Sequence, residues 1–199
     1  VQAKDLVGRT VTLQPPRFAS KFYVHKWNYL PGVTASVEID PEWGRLLGYF
    51  MGDGSFCDET LSIVCDARDT DVIEDVTYLL REKVGEPYQR AVGKNKGGVE
   101  VRVARKVVRE VLDQLGVLRS RESDQKLKRK VCVPDVIWHS PKEVVREFLR
   151  GLFEADGFAA YDHPRVSLFS RYPEFLRDVQ LLLLGFGITS RFSSRQAKS

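Results

Sequence analysis

Leu46-Leu47-Gly48-Tyr49-Phe50-Met51-Gly52-Asp53-Gly54 and, 103 residues further on, Leu149-Arg150-Gly151-Leu152-Phe153-Glu154-Ala155-Asp156-Gly157 spell one pattern twice. Each is an apolar run of helical character with small residues four apart, closed by a single carboxylate and a glycine. Gly48 and Gly52, and likewise Gly151 and Ala155, fall on one stripe of their helix, so two such helices can cross with their backbones nearly touching. That crossing brings Asp53 and Asp156 together. Each carboxylate already faces the negative end of its own helix dipole, and the pair repel one another. A cation offsets both effects. Oxygen-only donors with open positions suit Mg²⁺, and a carboxylate-bound Mg²⁺ in a nucleic-acid protein most often serves phosphodiester chemistry.

The flanks of the two words define their helices. Asp40-Pro41-Glu42 supplies an N-cap, a proline at the first helical position and an acid in the first turn, which predicts a helix over 41–52 ended by Gly54. Ser140-Pro141-Lys142-Glu143 reads as a capping box that starts the second motif helix, ended by Gly157. Downstream segments repeat at nearly the same offset. Strand 61–67 corresponds to 165–170, helix 69–83 to helix 172–184, and 85–90 to 187–192. The first copy continues through a turn at 93–98, a strand at 99–104 and a helix at 105–115, whereas the second copy has no such continuation. The expectation is an α+β fold of two pseudo-twofold repeats, the second incomplete, with the motif helices at the repeat interface. The organisation is a lead-in over 1–39, a first repeat over 40–133 and a truncated second repeat over 134–199. The missing tail is assigned to polypeptide outside this sequence, with completion by another chain and a degraded copy as alternatives. An uncovered strand edge at 189–193 is an aggregation liability.

Composition sets bounds on function. Hydrophobic content of 43% and charged content of 29% are those of a globular protein, and the net charge of +4 with pI near 9.0 permits a polyanionic partner. Cys57, Cys65 and Cys132 show no CxxC spacing, and an odd number of cysteines argues for reduced intracellular thiols. His25, His139 and His163 stand alone, without metal spacing. No apolar run reaches the length of a membrane span and no signal peptide opens the chain, so the expected location is cytoplasmic. The first residue, Val1, suggests an internal segment of a longer precursor.

Strand alternation sorts side chains between a core face and an open face. Val99, Val101 and Val103 oppose Glu100 and Arg102. Val166 and Leu168 oppose Arg165, Ser167 and Arg171, and Ile188 and Phe192 oppose Thr189, Arg191, Ser193 and Arg195. Three strands therefore offer an arginine-bearing polar face fit to enter a DNA major groove. Arg68 and Arg90 join the same candidate set. The basic run from Arg119 to Lys130 reads as a solvated linker that clamps nucleic-acid backbone if it lies beside a phosphate site.

The two nine-residue words resemble the paired motifs of the LAGLIDADG homing endonucleases. The stretches Lys130-Val131-Cys132-Val133-Pro134, Ser140 to Glu143 and Asp178 to Ile188 are similar to intein-type members of that family. The resemblance implies αββαββα repeats whose two antiparallel sheets form a DNA-binding saddle, in a monomeric, pseudo-dimeric enzyme that makes a staggered double-strand cut in DNA. It implies Mg²⁺ held by Asp53 and Asp156, with the carbonyls of Gly52 and Ala155 as further ligands. It also implies a basic residue near each cleaved phosphate. Lys130 matches best, with Arg129 and Lys128 as neighbours within the slack, and its counterpart at the same distance from Asp156 falls at position 233, beyond Ser199. The splicing residues of inteins are absent from this sequence, although Asp5-Leu6-Val7-Gly8-Arg9 is similar to a recurrent intein segment. A catalytically silent DNA-binding regulator and an RNA maturase on the same fold are the competing functions.

Overall fold

The computed structural model describes residues 16–30, 33–57, 59–92, 97–117, 119–121, 124–129 and 131–193. A hairpin of β1 (Tyr23–Leu30) and β2 (Val33–Ile39) leads into α1 (Pro41–Asp53). Asp40 caps α1 as its sequence position predicts, its Oδ1 accepting from the Trp43 N–H at 2.8 Å. The other oxygen meets Lys83 Nζ at 2.5 Å, and Lys83 also reaches Glu42 at 2.7 Å. Burial works against the Lys83 charge, but its bonds to Asp40 and Glu42 win and hold its pKa above the ordinary lysine value. Glu42 is correspondingly depressed, first by Lys83 and then by Tyr78. A depressed carboxylate adds stability at neutral pH that is lost as pH falls through the glutamate range, so this corner loosens in acid. Asp40→Ala removes the cap and one partner of Lys83 together. A loss of about 1–2 kcal/mol is expected from urea midpoints, with Asp40→Asn, which keeps the cap, losing less.

The first repeat runs α1, β3 (Gly54–Cys57), β4 (Thr60–Asp66), α2 (Thr70–Lys83), β5 (Tyr88–Val92), β6 (Gly98–Ala104) and α3 (Lys106–Gln114). This is a complete αββαββα unit. Its strands form one antiparallel sheet in the order β3-β4-β6-β5. Leu61, Ile63, Val101 and Val103 point into the core, where Leu79, Leu80 and Phe50 meet them. The valine alternation predicted for β6 is thus the core side of the sheet.

Between the repeats, the basic run forms a second hairpin of β7 (Arg119–Arg121) and β8 (Asp124–Arg129) in place of the expected linker. A short α4 (Asp135–Trp138) then precedes α5 (Lys142–Asp156), β9 (Gly157–Ala159), β10 (Val166–Leu168) and α6 (Pro173–Gly185). The capping box does not form. Ser140 is fully buried and its hydroxyl donates to the Val136 carbonyl at 2.7 Å, so α5 starts after Pro141 with no side-chain cap. The nearby last turn of α4 competes for the hydroxyl and wins.

The second repeat is shorter than its sequence suggested. β10 covers three residues, leaving Arg165 and Arg171 outside it, and 188–193 is not a strand. In the first repeat β5 exists by pairing with β6, and no counterpart of β6 is present among the described residues of the second. A strand without a partner has no ladder to hold it. Val166, expected on the core face, is 64% exposed. The lead-in is not detached: the Ala19 N–H donates to the Ser140 carbonyl at 3.2 Å, and the Phe18 and Phe186 rings lie 5.2 Å apart.

Candidate active site and nucleic-acid interface

Helices α1 and α5 cross along a stripe of small residues. A Cβ placed on Gly48 would overlap the Phe148 carbonyl oxygen and come within 2.7 Å of the Leu152 nitrogen, and one on Gly151 would overlap the Arg45 carbonyl and lie 3.1 Å from the Tyr49 nitrogen. The predicted contact stripe of Gly48, Gly52, Gly151 and Ala155 is the one the helices use. Gly44 extends it by another turn, against the Val144 carbonyl. Sequence reading missed Gly44, though it stands four residues before Gly48 and carried the same signal. On the flank, Arg45 pairs with Asp75 of α2 at 2.6 Å and with Glu147 of α5 at 3.7 Å, and Tyr49 donates to Asp75 at 3.0 Å. Burial first, and then the Asp75 carboxylate, push the Tyr49 phenol far up, so it remains a donor.

The stripe ends at the motif carboxylates. A Cβ on Gly52 would stand 2.5 Å from the Ala155 Cβ and 3.5 Å from the Asp156 carboxyl carbon. Asp53 follows Gly52 directly, and both aspartates are exposed. Neither α1 nor α5 carries a basic residue in its last turn, so two negative helix ends and their two acids converge without a local cation from those turns. Among the described residues no cluster of three or more His, Cys, Asp and Glu side chains surrounds them. Cys65 lies near enough to Asp53 to feel its charge, but burial, followed by Asp53 and Asp69, pushes its thiol up to about 11. The groups at the two helix ends are oxygen donors, two carboxylates and the carbonyls of the two final turns. That set fits a hard divalent cation that keeps most of its own water.

The open face of the four-stranded sheet runs from the end of α1. A cross-strand row Ser55, Ser62, Arg102, Tyr88 spans all four strands. Ser55 and Ser62 share a hydrogen bond of 2.9 Å, and Arg102 lies over the Tyr88 ring at 5.7 Å. Ser55, Ser62 and Tyr88 were not singled out from sequence, although the period of two that selected Arg102 also puts Tyr88 opposite it once the register is known. Arg90 is exposed on the same face, opposite Glu100. Arg68 lies beyond the end of β4, where Asp66 binds its guanidinium at 2.8 and 3.0 Å and is held at about 2 as a result. Arg165, Arg171 and Arg191 are exposed on connecting segments of the second repeat and not on strands. There, Phe158 takes the place of Ser55 and is 53% exposed. Lys130 and Arg195 lie outside the described residues.

Comparison with known proteins gives the same fold. Residues 143–199 match the model of the LAGLIDADG-like domain. The chain is 31% identical over 116 residues to the probable translation initiation factor IF-2 of Methanocaldococcus jannaschii, covering 53% of this chain and 10% of that protein. It is 31% identical over 188 residues to the tRNA-splicing ligase RtcB of Methanopyrus kandleri, covering 80% of this chain and 19% of that one. The chain thus spans between a tenth and a fifth of the length of these relatives. A structure of mesophilic variants of the homing endonuclease I-DmoI superposes with a TM-score of 0.50 at 15% identity, covering 76% of this chain and 79% of that one. The mixed helices and antiparallel sheets of this chain are those of the LAGLIDADG homing-endonuclease fold.

Proposed function

We propose that this chain, a LAGLIDADG protein by motif and by fold, is a site-specific homing endonuclease that makes a staggered double-strand cut in DNA with Mg²⁺ held between Asp53 and Asp156. The observation that carries this reading is the contact of Gly52 with Ala155, which sets the Asp156 carboxyl beside the helix end that bears Asp53. Bound there, Mg²⁺ supplies Lewis-acid stabilisation of a phosphate and a nucleophile at neutral pH. The chain's residues do the rest. Asp53 and Asp156 hold the ion, assisted by the Gly52 and Ala155 carbonyls, and the small-residue stripe fixes the two acids relative to each other. The sheet face binds the duplex through Arg90 and Arg102, the exposed Arg68, Arg165, Arg171 and Arg191 add contacts from connecting segments, and Arg195 is assigned the same role, so that one phosphodiester of each strand lies over the helix ends. Lys130 is assigned to charge stabilisation at one of those phosphates.

Two relatives with unrelated names share this module while it accounts for a minor part of each. That distribution favours an element inserted into host proteins, an intein origin in which residues 1–39 descend from the splicing domain and repeats begin near 40 and 134. Retention of both motif aspartates favours a nuclease over a silent regulator. The test is incubation of the protein with a plasmid library of genomic fragments and Mg²⁺, followed by sequencing of the cut ends. One long, asymmetric site cut at both strands is expected, and EDTA should abolish cutting. Selective binding without cleavage would leave a regulator, and cleavage that persists in EDTA would remove the metal from the scheme.

A further inference from the structure

Arg102 differs from the other arginines on the open faces in how it is held. Its side chain is only 20% exposed although it stands on the polar side of β6, in the middle of the four-strand row. Its Nε is buried without a hydrogen bond, and its partners among the described residues are the Glu100 carboxylate at 3.8 Å and the Tyr88 ring at 5.7 Å. Glu100 lies on the Nε side and the Tyr88 ring lies against the guanidinium carbon, and among the described residues no hydrogen bond or ion pair is made at the Nη1–Nη2 edge. Glu100 sits two residues before Arg102 on the same face, and Tyr88 is its directly paired neighbour on β5, so the strand register itself fixes this arrangement. Arg68 is the contrast, since Asp66 occupies its fork through both Nε and Nη2.

A guanidinium restricted by a ring beside it and a carboxylate on its Nε side, with its Nη1–Nη2 edge unbonded among the described residues, is suited to a planar pair of acceptors. A swinging surface arginine meets a phosphate equally well, whereas one with restricted rotamers discriminates. In the major groove the matching pair is guanine O6 and N7. Resting on the nuclease reading above, we infer that Arg102 is a base-reading residue that selects guanine at one position of the half-site under the first repeat. Tyr88 and Glu100 are its positioning residues, and the exposed Arg68 and Arg90 carry sequence-independent backbone contacts.

The experiment is selection from a library of randomised DNA duplexes in Ca²⁺, with sequencing of the bound fraction and the salt dependence of binding for the wild type, Arg102→Lys, Arg102→Ala, Tyr88→Phe, Tyr88→Ala and Glu100→Gln. The wild type should enrich a site with guanine preferred about tenfold or more at one position. Arg102→Lys keeps the charge and loses the fork. It should flatten that position alone, with the remaining positions and the salt dependence of binding unchanged. Tyr88→Phe should keep the preference, while Tyr88→Ala and Glu100→Gln should weaken it. A variant Arg102→Lys that retains the guanine preference, or Arg102→Ala that weakens all sequences equally and lowers the salt slope by about one, would make Arg102 a phosphate contact and overturn the inference alone. Failure of the wild type to enrich any site would sink the endonuclease reading together with it.

Discussion

Gly48→Ala should cost about 3 kcal/mol or more of folding stability, read as a fall in the urea midpoint at unchanged slope. The added methyl would overlap the Phe148 carbonyl and press on the Leu152 nitrogen, both backbone atoms in the middle of α5, so no rotamer change relieves it. The helices must separate, and the fully buried Leu46, Leu47, Phe148 and Leu152 lose their fit together. Against a total stability of about 5–15 kcal/mol for a domain, that is a large fraction. Gly52→Ala provides the contrast, because its obstacle is the Ala155 methyl at 2.5 Å. Coupling it with Ala155→Gly removes the obstacle and should recover most of the loss, whereas no substitution at residue 148 can rescue Gly48→Ala. Gly97→Ala, with nothing within 4 Å of the added atom, should stay within about 0.5 kcal/mol of the wild type. Equal losses at positions 48 and 97 would mean that the helices do not meet along this stripe.

The same stripe explains what the sequence made legible. Residue spacing within one helix is enough to show that Gly48 and Gly52 share a face, and a second copy of the word is enough to name the partner face. The Asp40 cap was legible for a similar reason, since all its partners lie within the first turn of α1 or are drawn to its charge. Strand existence in the second repeat was not. Ile188 to Phe192 has the alternation of a strand, yet the fold of the first repeat shows that β5 depends on β6, a partner that local pattern cannot supply. Ser140 has the spacing of a capping box, but a carbonyl from α4, four residues earlier, claims its hydroxyl. The Arg102 arrangement needed the register of three strands before Tyr88 and Ser62 could be seen as its neighbours. Sequence placed Arg102 on the correct face and left its partners unread.

Asp53→Asn and Asp156→Asn should each lower the rate of double-strand cleavage by at least about 1000-fold, equivalent to about 4 kcal/mol of transition-state stabilisation, while leaving site affinity within a few-fold. The change is isosteric and removes one negative charge from a place where two helix C-termini converge with no basic residue in either last turn. An amide is a far weaker ligand for a hard cation than a carboxylate, and among the described residues no third His, Cys, Asp or Glu joins the pair in a metal-holding group. A readout independent of activity separates this from damage to the fold. Ligand binding to the native state raises the melting temperature with cation concentration, so the wild type should show a Mg²⁺-dependent rise that both variants lose. If the variants keep the rise but lose cutting, the ion is held elsewhere and the aspartates act on the phosphate by another route. If they keep both, the paired acids are merely turn residues at the ends of two packed helices, and the sheet faces belong to a protein that binds DNA without cutting it.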